Sequence, residues 1–259
     1  VTDNPIRKYL KYEQFRFHEN RLTEQEQVLV YNMSNEFYQY VSENIQNPDV
    51  HTTLITFPQQ LKFLRLQNLY HRFSNNKEMF RVLDQEKRYL NIGAGAGFLE
   101  WMSREYGYNI ESSDLNSSDE KIFTFMRESI GVKLDYTYNS FVSQQPFNIQ
   151  GCDKRYDALL MLRFRPFKTQ WMDDFQSEIY HSDDPPVDLR VLNSFKNKLI
   201  QLKRYSDEII CTVFDRHPDG DIFYYHNLES VAYKTEEAYA ELAYYRLDDL
   251  IAEIEKRNG

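Results

Sequence analysis

Tyr89-Leu90-Asn91-Ile92-Gly93-Ala94-Gly95-Ala96-Gly97-Phe98-Leu99-Glu100-Trp101 joins a short apolar run, a loop whose every second residue is glycine, and the start of an apolar-periodic helix pattern. Glycine has no Cβ, so such a loop takes φ > 0 and lets a ligand approach the backbone itself. The amides where loop becomes helix suit a polar or anionic ligand. A tight structural turn is the plainer use of three glycines, but alternating glycines cost backbone entropy that an ordinary loop has no need of. Gly93, Ala94, Gly95 and Gly97 are therefore expected to line a cofactor cradle.

Spacing narrows the cofactor. The dinucleotide fingerprint is G-x-G-x-x-G, its third glycine packing helix against strand. Here the glycines fall at 93, 95 and 97, and Phe98 stands in that third place, which argues against a tightly held pyrophosphate. Downstream, Tyr106-Gly107-Tyr108-Asn109-Ile110-Glu111-Ser112-Ser113-Asp114-Leu115-Asn116 reads as a turn, a strand and an acidic end. An acidic residue about 20 positions beyond the glycine loop is the ribose ligand of Rossmann-type sites, and one carboxylate can accept from both ribose hydroxyls. Asp114 holds that place; capping a helix that starts near Ser117 is its alternative employment.

The G-x-G-x-G form resembles the first motif of the class I S-adenosylmethionine (SAM) dependent methyltransferases. Arg155-Tyr156-Asp157-Ala158-Leu159-Leu160-Met161-Leu162, with its aromatic-Asp opening, resembles that family's fourth strand, and Glu208-Ile209-Ile210-Cys211-Thr212-Val213-Phe214 its fifth. The resemblance spans roughly residues 86–257. It implies a Rossmann-like α/β/α sandwich with a mostly parallel sheet, SAM as cofactor and methyl transfer as the activity. The chain also departs from the family. Asn91, kept here among the cofactor-binding residues, stands where an acidic residue is usual, and Lys203-Arg204-Tyr205-Ser206-Asp207 replaces a Pro-Gly-Gly turn. After a helical run ending near Lys256 no further strand is expected, so the family's sixth and seventh strands are either missing or belong to a longer chain. These departures favour the rival reading, a non-catalytic scaffold or partner subunit on the same fold.

Strand–helix alternation from residue 86 onward predicts strands at 88–92, 109–113, 134–138, 156–162 and 208–214, and a helix from Val187 to Arg204. Residues 1–85 form a helical N-terminal extension ahead of the 86–259 domain. Its first helix opens on a capping box, Thr23 with Glu26. A second helix is expected from Pro58 to Leu83, and residues 164–186 read as an insertion. The extension is aromatic-rich and is assigned either to an acceptor pocket or to a homodimer contact.

A net charge of −9 opposes a large polyanionic partner, because phosphate binding rests on Lys and Arg. Nucleic acid is therefore not the expected acceptor, and a small molecule is. Cys152 and Cys211 lie in no metal or redox spacing; a buried thiol is the expectation for Cys211, and no metal is expected. With no basic-then-apolar start and no apolar run of about 18 residues, no leader or membrane span is read, which points to the cytoplasm.

Asp183-Asp184-Pro185-Pro186-Val187 invites comparison with the D-P-P-Y motif that holds a flipped base, but it lies too far beyond the fourth strand and Val187 lacks the stacking ring. An N-cap with proline at the first helical position explains it. Ligands of open α/β sheets bind outside the carboxyl ends of the strands. Arg163 and Arg165, after the fourth strand, can face one side and hold an anionic group, or pair with surface acids instead. Asp215 and His217, after the fifth, are the catalytic candidates, because imidazole takes a proton at neutral pH. The acceptor expected from these residues is a small metabolite or sugar derivative with an anionic group; protein remains an alternative.

Overall fold

The structure, a computed structural model, describes residues 22–44, 46–48, 80–115, 121–138, 146–161, 189–212 and 242–258. Among them run α1 (Glu24–Asn44), β1 (Arg88–Ile92), α2 (Phe98–Tyr106), β2 (Asn109–Leu115), α3 (Lys121–Ser129), β3 (Tyr136–Tyr138), β4 (Ile149–Gln150), β5 (Ala158–Met161), α4 (Leu189–Leu202), β6 (Glu208–Thr212), β7 (Leu242–Arg246) and α5 (Leu247–Asn258). Each of the five predicted strands is found. Residues 58–79 of the expected second helix of the extension and the 164–186 insertion lie outside the described residues; of that helix, 80–83 are described and form its last helical residue and a turn.

The strands form one sheet in the order β4-β3-β2-β1-β5-β6-β7. The inner five pair in parallel, and the two outer strands, β4 and β7, run antiparallel to their neighbours. This is a Rossmann-like α/β sheet. From β1 the chain first steps outward through β2 and β3, then returns to β1's other side with β5, so the order reverses at β1, where such sheets bind ligands. The Tyr156-Asp157 opening of β5 has a local job here. Asp157 accepts the Arg88 amide at 2.8 Å and returns its own amide to the Arg88 carbonyl at 2.9 Å, fixing how β5 meets β1.

One expectation is corrected. A strand does follow the fifth parallel strand: Leu242–Arg246 pairs antiparallel with β6, with Ile209 opposite Tyr245 and Cys211 opposite Ala243. Sequence reading named only a helical run ending near Lys256 in this part of the chain, and no strand. Ala243, Tyr244 and Tyr245 are all buried, and a short apolar run buried on both faces carries no alternation to distinguish strand from helix. The helix proper starts at Leu247, whose amide bonds the Asp207 carbonyl at 2.9 Å.

The described residues fall into two compact units. One contains the sheet with α4 and α5. Alternate strand residues, Leu90 and Ile92, Leu159 and Met161, Ile209 and Cys211, Ala243 and Tyr245, meet Phe195, Leu199 and Leu202 of α4 and Leu247, Leu250 and Ile254 of α5 in a single core. The two-residue period of strands and the three-to-four-residue period of helices produce these facing stripes. Cys211 is buried in that core, as expected, and so is Cys152.

The other unit gathers α1, α2 and α3. The predicted capping box is present: the Thr23 amide donates to Glu26 Oε2 at 2.7 Å, and the Glu26 amide to Thr23 Oγ1 at 3.3 Å. Glu26 also receives the Tyr106 hydroxyl at 3.1 Å, and Tyr40 donates to Glu128 at 2.9 Å, so α1 is tied to both other helices. Burial and the neighbouring carboxylate push the Tyr40 hydroxyl up to about 12.

Candidate functional site

The glycine loop leaves the carboxyl end of β1, the central strand. Its three glycines all have left-handed backbones, with φ of 86° at Gly93, 56° at Gly95 and 76° at Gly97. A side chain at any of the three would be strained, which explains the residue choice. The Gly93 and Ala94 amides both donate to the Ser113 carbonyl of β2, at 2.9 and 3.1 Å. Ser113 Oγ in turn donates to the Asn91 carbonyl at 3.1 Å. The buried Ser113 therefore ties β2 to the start of the loop through its backbone carbonyl, and to β1 through its hydroxyl. Ser112 is fixed from the other side: its amide and hydroxyl donate to Asp135 Oδ2 at 2.7 and 3.1 Å.

Asp114 follows directly at the carboxyl end of β2. It is buried, and its Oδ1 accepts the Leu115 amide at 2.8 Å. Asn91, Gly93, Ala94 and Asp114 are thus brought together at the ends of two paired strands. The described helix beyond Asp114 covers Lys121–Ser129, and the residues around Ser117 lie outside the described set.

Past Ala94 the chain runs through Gly95 and Gly97 into α2. The Trp101 amide bonds the Gly97 carbonyl at 3.0 Å, so Gly97 is the residue on which the helix opens. Phe98, in the place of the third dinucleotide glycine, is buried. Glu100 is buried in the first helical turn, where the helix dipole favours negative charge.

Sequence reading missed Arg127. It is 6% exposed and its guanidinium donates through Nη1 to the Gly95 carbonyl and through Nη2 to Thr124 Oγ1 at 3.2 Å. Nothing in the pattern marks it, since arginine in an amphipathic helix ordinarily lies at the surface. Arg163, Arg165, Asp215 and His217 lie outside the described residues.

A second polar cluster sits nearer the amino end of β2. Glu111 accepts Tyr136 and Tyr156 hydroxyls, each at 2.6 Å, and Lys154 Nζ at 2.8 Å. Burial opposes the Glu111 carboxylate, but donation from Lys154, Tyr136 and Tyr156 outweighs it and holds the carboxyl below its usual range. Burial, and then the bond to Glu111, raises both tyrosines. Among the described residues no group of three or more His, Cys, Asp or Glu side chains is placed to hold a metal ion. No helix among them is long and apolar enough to cross a membrane.

No protein-family model and no curated protein matches this chain. Several solved structures that it is similar to are SAM-dependent methyltransferases. A TehB-like one from Corynebacterium glutamicum shares 10% identity over 66% of this chain and 85% of that one, with a TM-score of 0.36. One from Thermotoga maritima shares 18% identity over 78% and 77%, with a TM-score of 0.34. The glycopeptide N-methyltransferase MtfA, complexed with sinefungin, shares 11% identity over 54% and 52%, with a TM-score of 0.30. The chain spans about half the length of that enzyme.

Proposed function

We propose that this chain binds S-adenosylmethionine through Gly93, Ala94, Gly95, Gly97, Asn91 and Asp114, and transfers its methyl group to a small acceptor. The observation that carries the reading is the end of β1 against the end of β2. A left-handed glycine turn is bonded by two amides to Ser113, and a buried carboxylate follows at the next residue. A carboxylate there suits a ribose diol, since it accepts from two hydroxyls at once. Phe98 and the buried Glu100 favour a cofactor without a diphosphate.

SAM would supply a methyl group already activated by its sulfonium, so the protein's task is alignment rather than covalent chemistry. Asp114 would orient the nucleoside, and the glycine turn would let it lie against backbone. At the acceptor end we assign Arg163 and Arg165 to an anionic group, and Asp215 and His217 to taking up a proton from a hydroxyl acceptor. A metabolite or sugar derivative with a negative group fits that set, and the net charge of −9 weighs against nucleic acid.

Calorimetry with SAM and with S-adenosylhomocysteine tests the cofactor site. Both ligands should bind the wild-type chain, and Gly95→Val and Asp114→Ala should each weaken binding by about tenfold or more, the loss expected for a charged hydrogen-bond partner or a blocked backbone approach. Affinity unchanged in both variants would remove the site assignment. No binding to the folded wild type would favour the scaffold reading.

A further inference from the structure

We infer that Arg127 is a positioning residue of the glycine loop, holding the Gly95 peptide in one orientation before any ligand arrives. The inference rests on the cofactor reading above for its purpose, but its geometry stands by itself. The C-terminus of α3 ends in a Schellman turn: Gly131 has φ 65°, its amide bonds the Glu128 carbonyl at 3.1 Å, and the Val132 amide bonds the Arg127 carbonyl at 2.9 Å. That turn brings Val132 and the stem of Arg127 against Gly97. A Cβ on Gly97 would lie 2.9 Å from Val132 Cγ1 and 3.0 Å from Arg127 Cγ. One turn of chain therefore both packs the loop and aims a guanidinium at it.

The guanidinium spans two acceptors, the Gly95 carbonyl and Thr124 Oγ1. A planar fork meets both in fixed directions, whereas a lysine ammonium is a point charge on a flexible stem. Burying that charge is costly unless it is well bonded, so the arrangement is held rather than incidental. A trans peptide is planar with its C=O and N–H on opposite sides. Fixing the Gly95 carbonyl toward Arg127 thus turns the Ala96 N–H away from α3. A loop of alternating glycines left to itself samples many orientations, and a ligand that must order it loses affinity in doing so. The clamp removes that cost beforehand.

Hydrogen–deuterium exchange on the ligand-free chain, together with S-adenosylhomocysteine calorimetry, tests this in Arg127→Met and Arg127→Lys. Gly151→Ala is the control, a left-handed position at φ 76° with nothing within 4 Å of an added Cβ, away from the loop in sequence. In Arg127→Met, exchange across residues 95–99 should quicken and ligand affinity should fall, each by about tenfold, the loss of one charge-assisted hydrogen bond. Arg127→Lys should fall between, and also answers the question if Arg127→Met does not fold. Gly151→Ala should change neither. Unchanged exchange at 95–99, or an equal affinity loss in the control, overturns the inference. If the wild type binds no ligand, the cofactor reading fails, and the exchange comparison alone decides whether Arg127 orders the loop.

Discussion

Gly97 carries two constraints at once, a left-handed backbone and a surface pressed against Val132. Gly97→Ala must therefore strain φ and push Val132 aside, and we expect it to cost about 1–3 kcal/mol in urea unfolding; a loss below 0.5 kcal/mol (roughly the size of a surface change) would mean the turn relaxes freely. At the acceptor end, His217→Ala should lower turnover by about 100-fold if imidazole is the base, while Arg163→Ala should raise the acceptor's KM with cofactor affinity unchanged. Steady-state kinetics separate the two, and a pure KM effect at His217 would count against its assignment. The glycines were legible in the sequence because φ > 0 excludes most side chains, and Asp114 because an acidic residue about 20 positions beyond such a loop marks the end of the next strand. Arg127 was not, because its partner is a backbone carbonyl, and any segment of chain has carbonyls. Ser113 was invisible for the same reason, its hydroxyl being bonded to the Asn91 carbonyl.

β2 works as an element with two polar stations, Asp114 near its carboxyl end and Glu111 nearer its amino end. The Glu111 station makes a pH prediction. A carboxyl held below its usual value of 4.5 contributes stability that is present above that value and lost as pH falls through the lowered one. Tyrosines raised above 10.0 contribute stability that is full below pH 10.0 and lost as pH rises beyond it. The urea midpoint should thus drop on both flanks. Tyr156→Phe should blunt the alkaline flank, and Glu111→Gln both; profiles parallel to wild type would show that the cluster does not couple to unfolding. Elements were legible where period or a flanking motif marks them, as in α4, the Thr23–Glu26 cap of α1, and β1, which is buried on both faces but ends at the glycine loop. They failed where a run buried on both faces has no such mark, as in β7, or has only two residues, as in β4.

As a whole, the molecule has a stability that should answer to its ligand. A cofactor that binds only the folded chain, present at about 100 times its Kd, adds about 2.7 kcal/mol, and in a chain of this size raises the melting midpoint by about 5–10 °C. Thermal scans with S-adenosylhomocysteine measure it, and a midpoint indifferent to saturating ligand would speak against binding to the native state. Sheet order has a temporal consequence as well. β1 ends at Ile92 and is flanked on one side by β2, which follows almost at once, but its other neighbour, β5, begins only at Ala158. On a ribosome adding about 5–20 residues per second, those 65 intervening residues (93–157) take on the order of 3–13 s. Throughout that interval one edge of the strand destined for the centre of the sheet, bearing Tyr89, Leu90 and Ile92, has no native partner, and an unpaired apolar edge recruits other chains. The strand at the middle of the finished sheet is the one the nascent chain must shelter longest.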